Sequence, residues 1–242
     1  MKKLLPIIIA VVFVCYIVFS ILLVNEKGTD AVCRGVTIEI KDSAERNFIT
    51  NRDIVRMLRG AHLYPVDTPL RDISTAHIER RITESGPVDR AKVYKTPSHM
   101  IHIEITQKTP ILRVFTDSGS YYIDERGRIM AVSTRYAAYL PVASGKIEKA
   151  FAKSDLYKFA LFLRKHDFWN NQIEQIFVYP SKEIELIPRV GDFRIYLGSL
   201  DDFEEKMNHL QLFYEQAIPK VGWDKYEMIN LKYKNQIVCT KR

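Results

Sequence analysis

The chain has 242 residues, of which 47% are hydrophobic and 27% charged, and its formal net charge is +7. That is room for a membrane anchor plus one or two packed domains of about 100–150 residues. The basic excess is weak, either a solvated surface with a few extra lysines or a fit to an anionic lipid or polymer, and no stretch interleaves Arg or Lys with aromatics, which excludes a nucleic-acid module.

Leu4–Val24 is a run of 21 residues without a charge. At about 1.5 Å per residue such a helix spans roughly 30 Å, the thickness of a hydrocarbon core. Lys2 and Lys3 precede it, while Glu26 and Asp30 balance Lys27 and Arg34 on its far flank. The positive-inside bias puts the N-terminus in the cytoplasm and the rest outside. The run ends in Leu22, Leu23 and Val24 without the small residues of a cleavage site, so retention is expected. Three cysteines, Cys15, Cys33 and Cys239, stand far apart and form no CxxC or Cys/His cluster. This argues against a zinc site, and no bridge between Cys33 and Cys239 is expected.

After a polar linker over 25–35, Val36, Ile38 and Ile40 alternate with polar residues as in a strand. Thr50 and Asp53 make a capping-box signature before a helix that Gly60 ends. Asp72–Ser85 is a second helix candidate, and Gly86-Pro87 stops it. Val88, Ala91 and Val93 begin a second strand; Ile101, Ile103 and Ile105 give the clearest period-2 run in the chain. Strand, helix, helix, strand, strand makes a compact sandwich of two helices on a three-stranded sheet. Beyond Pro110, strands are expected at Leu112–Phe115, Tyr121–Ile123 and Ile129–Val132, with Asp124–Gly127 as the hairpin turn and Pro141–Gly145 as a loop. Ser154 is placed to cap a helix carrying Leu156, Phe159, Ala160 and Leu163. Strands follow at Ile173–Tyr179, Glu183–Pro188 and Phe193–Leu197, then a helix capped by Ser199–Asp202 and ended by Pro219, then a last strand over about Tyr226–Tyr233. The fold class is α+β: one N-terminal transmembrane helix, a βααββ domain, and a mixed α/β domain with an antiparallel-rich sheet and two helices.

The sequence carries no P-loop, no dinucleotide-binding glycine pattern, no GxSxG and no HExxH. His99 and His102 are the nearest histidine pair, but residues three apart on a strand point to opposite faces, so they cannot share a metal. No cofactor, metal or catalytic residue is expected. In the last strand, Ile229, Leu231 and Tyr233 alternate with Asn230, Lys232 and Lys234. A strand closing a chain is expected at a sheet edge, either as a docking site for an incoming strand or as an ordinary edge guarded by its lysines.

Taken in order, these features resemble the FtsQ/DivIB family of cell-division proteins. Val88–Pro97 followed by Ile101–Ile105 is similar to the second and third strands of that family's POTRA domain. Lys108-Thr-Pro110 resembles the sequence closing it; Tyr122–Gly127 and Leu140–Gly145 resemble landmarks of the β domain; and Ile229–Tyr233 resembles the terminal strand. The resemblance implies a cytoplasmic tail over 1–3, a transmembrane helix over 4–24, a linker over 25–35, a POTRA domain over 36–110 and a β domain over 111–242. Three departures stand out. Asp42-Ser43 replaces a usual glycine, Gln107 a usual glutamate, and Asn230 and Lys232 stand where an acid and an arginine are common. The implied function is a non-enzymatic divisome scaffold in the inner membrane at the septum. It binds FtsB-like and FtsL-like division proteins and takes neither nucleic acid nor a small-molecule substrate. The carried-over contacts are Lys232, Tyr233 and Asn235, with Tyr226, Met228 and Asn230 beside them; Tyr233 shares the parity of Leu231 and is either a contact or a core residue. Competing readings are another POTRA-bearing assembly or secretion component, and a membrane-tethered enzyme or glycan binder.

Overall fold

A computed structural model describes residues 12–20, 31–133 and 135–242. Residues 12–20 are helical (α1). Among the described residues no helix is long and apolar enough to cross a membrane. Most of the span expected over 4–24, together with the tail 1–3 and linker residues 25–30, lies outside the described residues. The chain divides into two compact units between Gln107 and Lys108, so Pro110, expected to close the first domain, opens a strand of the second.

The first unit has the expected element order: β1 (Gly35–Ile40), α2 (Asn51–Gly60), a 3-10 turn (Leu70–Asp72), α3 (Thr75–Thr83), β2 (Val88–Lys95) and β3 (Met100–Gln107). The sheet order is β1-β3-β2, with β1 parallel and β2 antiparallel to β3. The alternation of β3 is realised in full: Ile101, Ile103 and Ile105 are buried under Ile54, Leu58, Ile78 and Ile82 of the helices, leaving His102 and Glu104 on the uncovered face. Thr50 and Asp53 form the reciprocal cap of α2. Gln107 is buried; its Oε1 accepts from Phe48 N (2.9 Å) and Ile49 N (3.2 Å), while its Nε2 donates to Arg46 O (2.7 Å) and Asp42 Oδ1 (3.2 Å).

The second unit is a nine-stranded mixed sheet of order β12-β11-β10-β9-β8-β7-β4-β5-β6. Its strands are β4 (Pro110–Thr116), β5 (Gly119–Asp124), β6 (Ile129–Ala131), β7 (Val142–Gly145), β8 (Ile173–Val178), β9 (Ile184–Pro188), β10 (Arg194–Gly198), β11 (Tyr226–Asn230) and β12 (Val238–Lys241). The expected helices are α5 (Asp155–Lys165) and α7 (Phe203–Gln216), joined by the short α4 (Lys149–Lys153), α6 (Asp167–Gln172) and α8 (Ile218–Val221). Phe159, Leu163, Trp169, Met207 and Leu210 of these helices bury one sheet face with Ile176, Leu186, Ile195 and Ile229.

Several local expectations are corrected. Pro141–Gly145 is not merely a loop: Val142–Gly145 is an interior strand, parallel to both β4 and β8, so its ladder comes from distant segments rather than from its own pattern. Gly145 closes it at φ +102, where a Cβ would meet the Val178 carbonyl oxygen at 2.2 Å. Ser154 precedes α5 but makes no side-chain cap; its hydroxyl donates to Ala150 O (3.0 Å) of the preceding helix. Asp202 likewise stands at the start of α7 without capping it. Pro219 lies inside α8, after α7 has ended at Gln216. The Asp124 turn forms as expected, and the buried carboxylate accepts from Arg126 N, Arg128 N and Arg128 Nε (2.7 Å).

Candidate partner-binding site at the end of the sheet

The strand expected to close the sheet does not close it. β11 ends at Asn230 rather than at Tyr233, and it has a neighbour on each side. Arg194, Ile195 and Tyr196 of β10 run parallel to Met228, Ile229 and Asn230, while Thr240, Cys239 and Val238 of β12 pair with the same three residues antiparallel. Its backbone is therefore committed on both edges, and it offers no vacant ladder to another chain. The chain leaves the strand after Asn230, and Asn235, in a left-handed conformation (φ 60), sits in the turn that leads back into β12. Among the described residues the sheet ends at β12 on this side and at β6 on the other. A four-residue strand of Val, Cys, Thr and Lys is too short for a periodicity signal; its only cue is two β-branched residues after the Lys234-Asn235 turn.

The six residues singled out by the resemblance fall into two groups. Tyr226, Met228 and Asn230 lie in β11, opposite Lys241, Thr240 and Val238. Asn230 Oδ1 also accepts from Lys232 N (2.9 Å), which shapes the exit from the strand. Lys232, Tyr233 and Asn235 lie in the β11–β12 connection and line a cavity of about 190 Å³ against Asp201 and Asp202, just before α7, and His209 within it. Tyr233 is 51% exposed, which settles its parity in favour of the surface.

Lys232 has a partner within its own chain. Its Nζ lies 2.7 Å from Glu183 Oε1, and the Tyr196 hydroxyl donates to Glu183 Oε2 at 2.7 Å. Gly198 (φ +74) lets Lys232 pass close by: a Cβ there would stand 3.1 Å from Lys232 Cγ. The Lys232 ammonium, followed by the Tyr196 hydroxyl, holds the Glu183 carboxyl down at about 2, and the same carboxylate pushes Tyr196 up to about 12. The sign follows from linkage. A carboxyl lowered on folding contributes stability above its ordinary value of 4.5, and that contribution is lost as pH falls from 4.5 towards about 2. Stepped-pH urea melts are expected to show a steeper loss of stability across this window for the wild type than for Glu183→Gln. Equal slopes would mean the triad adds nothing to folding.

The architecture defines a class: a βααββ module followed by a mixed sheet with helices on one face. Residues 31–106 match the model of a POTRA-like domain, and residues 109–240 match that of FtsQ/DivIB, C-terminal related. The chain belongs to the FtsQ/DivIB family. No curated protein matches it. Among solved structures, the major extracytoplasmic domain of the trans isomer of the bacterial cell-division protein DivIB from Geobacillus stearothermophilus aligns with 47% of this chain and 97% of its own, at 15% identity and a TM-score of 0.32.

Proposed function

We propose that this chain is a bitopic, non-catalytic divisome scaffold, anchored through residues 4–24 in the inner membrane at the septum, that links early and late division proteins outside the cytoplasm. It takes an extended segment of an FtsB/FtsL-type partner as a further strand beside β12. The observation that supports this is the place of β12 as the last of nine strands, with no neighbour on its outer side among the described residues. Main-chain donors and acceptors give such an edge affinity, and flanking side chains set register and choice of partner. Lys234 and Lys241 flank this edge and favour a partner bearing carboxylates. Tyr233 and Asn235, on the adjoining connection, supply contacts beyond the ladder, and Lys232 keeps the connection in place through Glu183.

The test is a photo-crosslinker placed at single positions over 225–242 and, for comparison, over β6 at the opposite edge, in dividing cells. Capture of FtsB/FtsL-type proteins concentrated on 238–242 is expected. Capture at β6 alone would overturn the assignment of the edge.

A further inference from the structure

The face of the first sheet opposite its helices gathers metal-ligating side chains that spacing along the chain does not announce. His102 and Glu104 are two apart on β3 and so share a face. The parallel register sets Glu39 of β1 directly beside Glu104. His102 Nε2 stands 3.5 Å from Glu39 Oε2. Two ligands each about 2.0–2.1 Å from a tetrahedral ion stand roughly 3.3–3.5 Å apart, so this separation already fits an ion between them. One ligand atom from each of the three side chains lies within 4.8 Å of the others.

The surroundings hold the set in place. The Tyr94 ring stacks on His102 at 5.0 Å between centroids, and its hydroxyl donates to Glu104 Oε1 (3.1 Å), fixing two of the three ligands from one outer residue. Lys41 Nζ sits 2.6 Å from Glu104 Oε2, and its side chain is 51% exposed. An ammonium thus already pairs with one of the three ligands, on a side chain half exposed to solvent. It has no use for an imidazole lone pair, whereas a borderline metal does.

We propose that Glu39, His102 and Glu104 form a three-ligand site for a divalent transition cation of the zinc type, with Lys41 as its built-in competitor. One nitrogen and two carboxylates leave a fourth position open to water or to a side chain from outside. The nitrogen ligand discriminates against magnesium and calcium, which take oxygen ligands.

The experiment is a calorimetric titration of zinc into the full-length, tag-free chain after chelator treatment. One saturable site is expected. His102→Ala and Glu39→Gln are each expected to weaken it by at least about tenfold, the size of loss that even an outer-shell partner brings. Lys41→Ala removes the competitor and is expected to tighten binding severalfold, a change that partial unfolding cannot mimic. Magnesium in large excess should not displace zinc. The proposal is overturned if zinc binds no more tightly to the wild type than to His102→Ala, or if Lys41→Ala weakens binding.

Discussion

Lys241→Pro is expected to weaken binding of the FtsB/FtsL-type partner by at least about tenfold while leaving the fold intact. Arg242 N donates to Lys225 O (3.4 Å), which turns the N–H of Arg242 towards β11. N–H groups alternate in direction along a strand, so those of Cys239 and Lys241 point to the vacant side. Proline at 241 deletes one outward donor and sets a ring in the path of the incoming backbone, a substitution that edge strands accept and interior strands do not. The loss of one ladder bond and the steric conflict together should cost at least about 1.4 kcal/mol of binding, or about tenfold in Kd. A control with Ile229→Pro, in the interior β11, should unfold the unit outright, because its backbone is paired on both sides. The measurement is a binding isotherm with the purified partner beside circular dichroism of each variant. Unchanged affinity in Lys241→Pro would remove β12 from the interface.

The second large effect concerns folding of the first unit. Gln107→Glu is expected to destabilise it by about 2–3 kcal/mol at neutral pH, although glutamate is the residue the family pattern favours there. The amide serves two sides: its oxygen takes two backbone N–H groups, and its nitrogen gives to Arg46 O and to Asp42. A carboxylate would keep the first pair and turn an acceptor towards two acceptors, one of them charged. Burial and Asp42 would both raise the introduced carboxyl above its unfolded value, so the penalty should shrink as pH falls through that raised value. Adding Asp42→Gly should recover part of the loss in a double-mutant cycle, read by urea melts. Full additivity would show that the two sites do not communicate. The departures at 42 and 107, which the sequence presents as unrelated, are thereby one exchange: an acid in the turn after β1 is compatible with an amide, not with a second acid, at the end of β3.

What the sequence revealed was whatever its own neighbours determine. The capping box of α2, the alternation of β3, the buried stripe of α5 and the Asp124 turn are all fixed within a few residues, and each reappears in the structure. What it concealed depends on partners far along the chain. β7 has almost no pattern of its own and is a strand because β4 and β8 flank it. Alternation points to β11 as the edge, yet the four residues of β12 are enough to cover it. The Glu39–His102–Glu104 group was missed for the same reason. His99 and His102 stand out along the chain, whereas the proposed ligands combine a spacing of two on β3 with a residue from the neighbouring strand.

The parallel junction between β10 and β11 has a consequence for recognition. Two parallel neighbours cannot be joined by a tight turn, so the chain crosses over through α7 before it comes back to the sheet. The position of β11, and of β12 beyond it, is thus underwritten by Met207, Leu210 and Tyr214 seating against the sheet. On the proposed docking mode, a molecule whose helix has come loose has no strand edge to present. A partner that binds only the finished edge inspects the integrity of the whole unit at its periphery, and by occupying it holds that helix down in return.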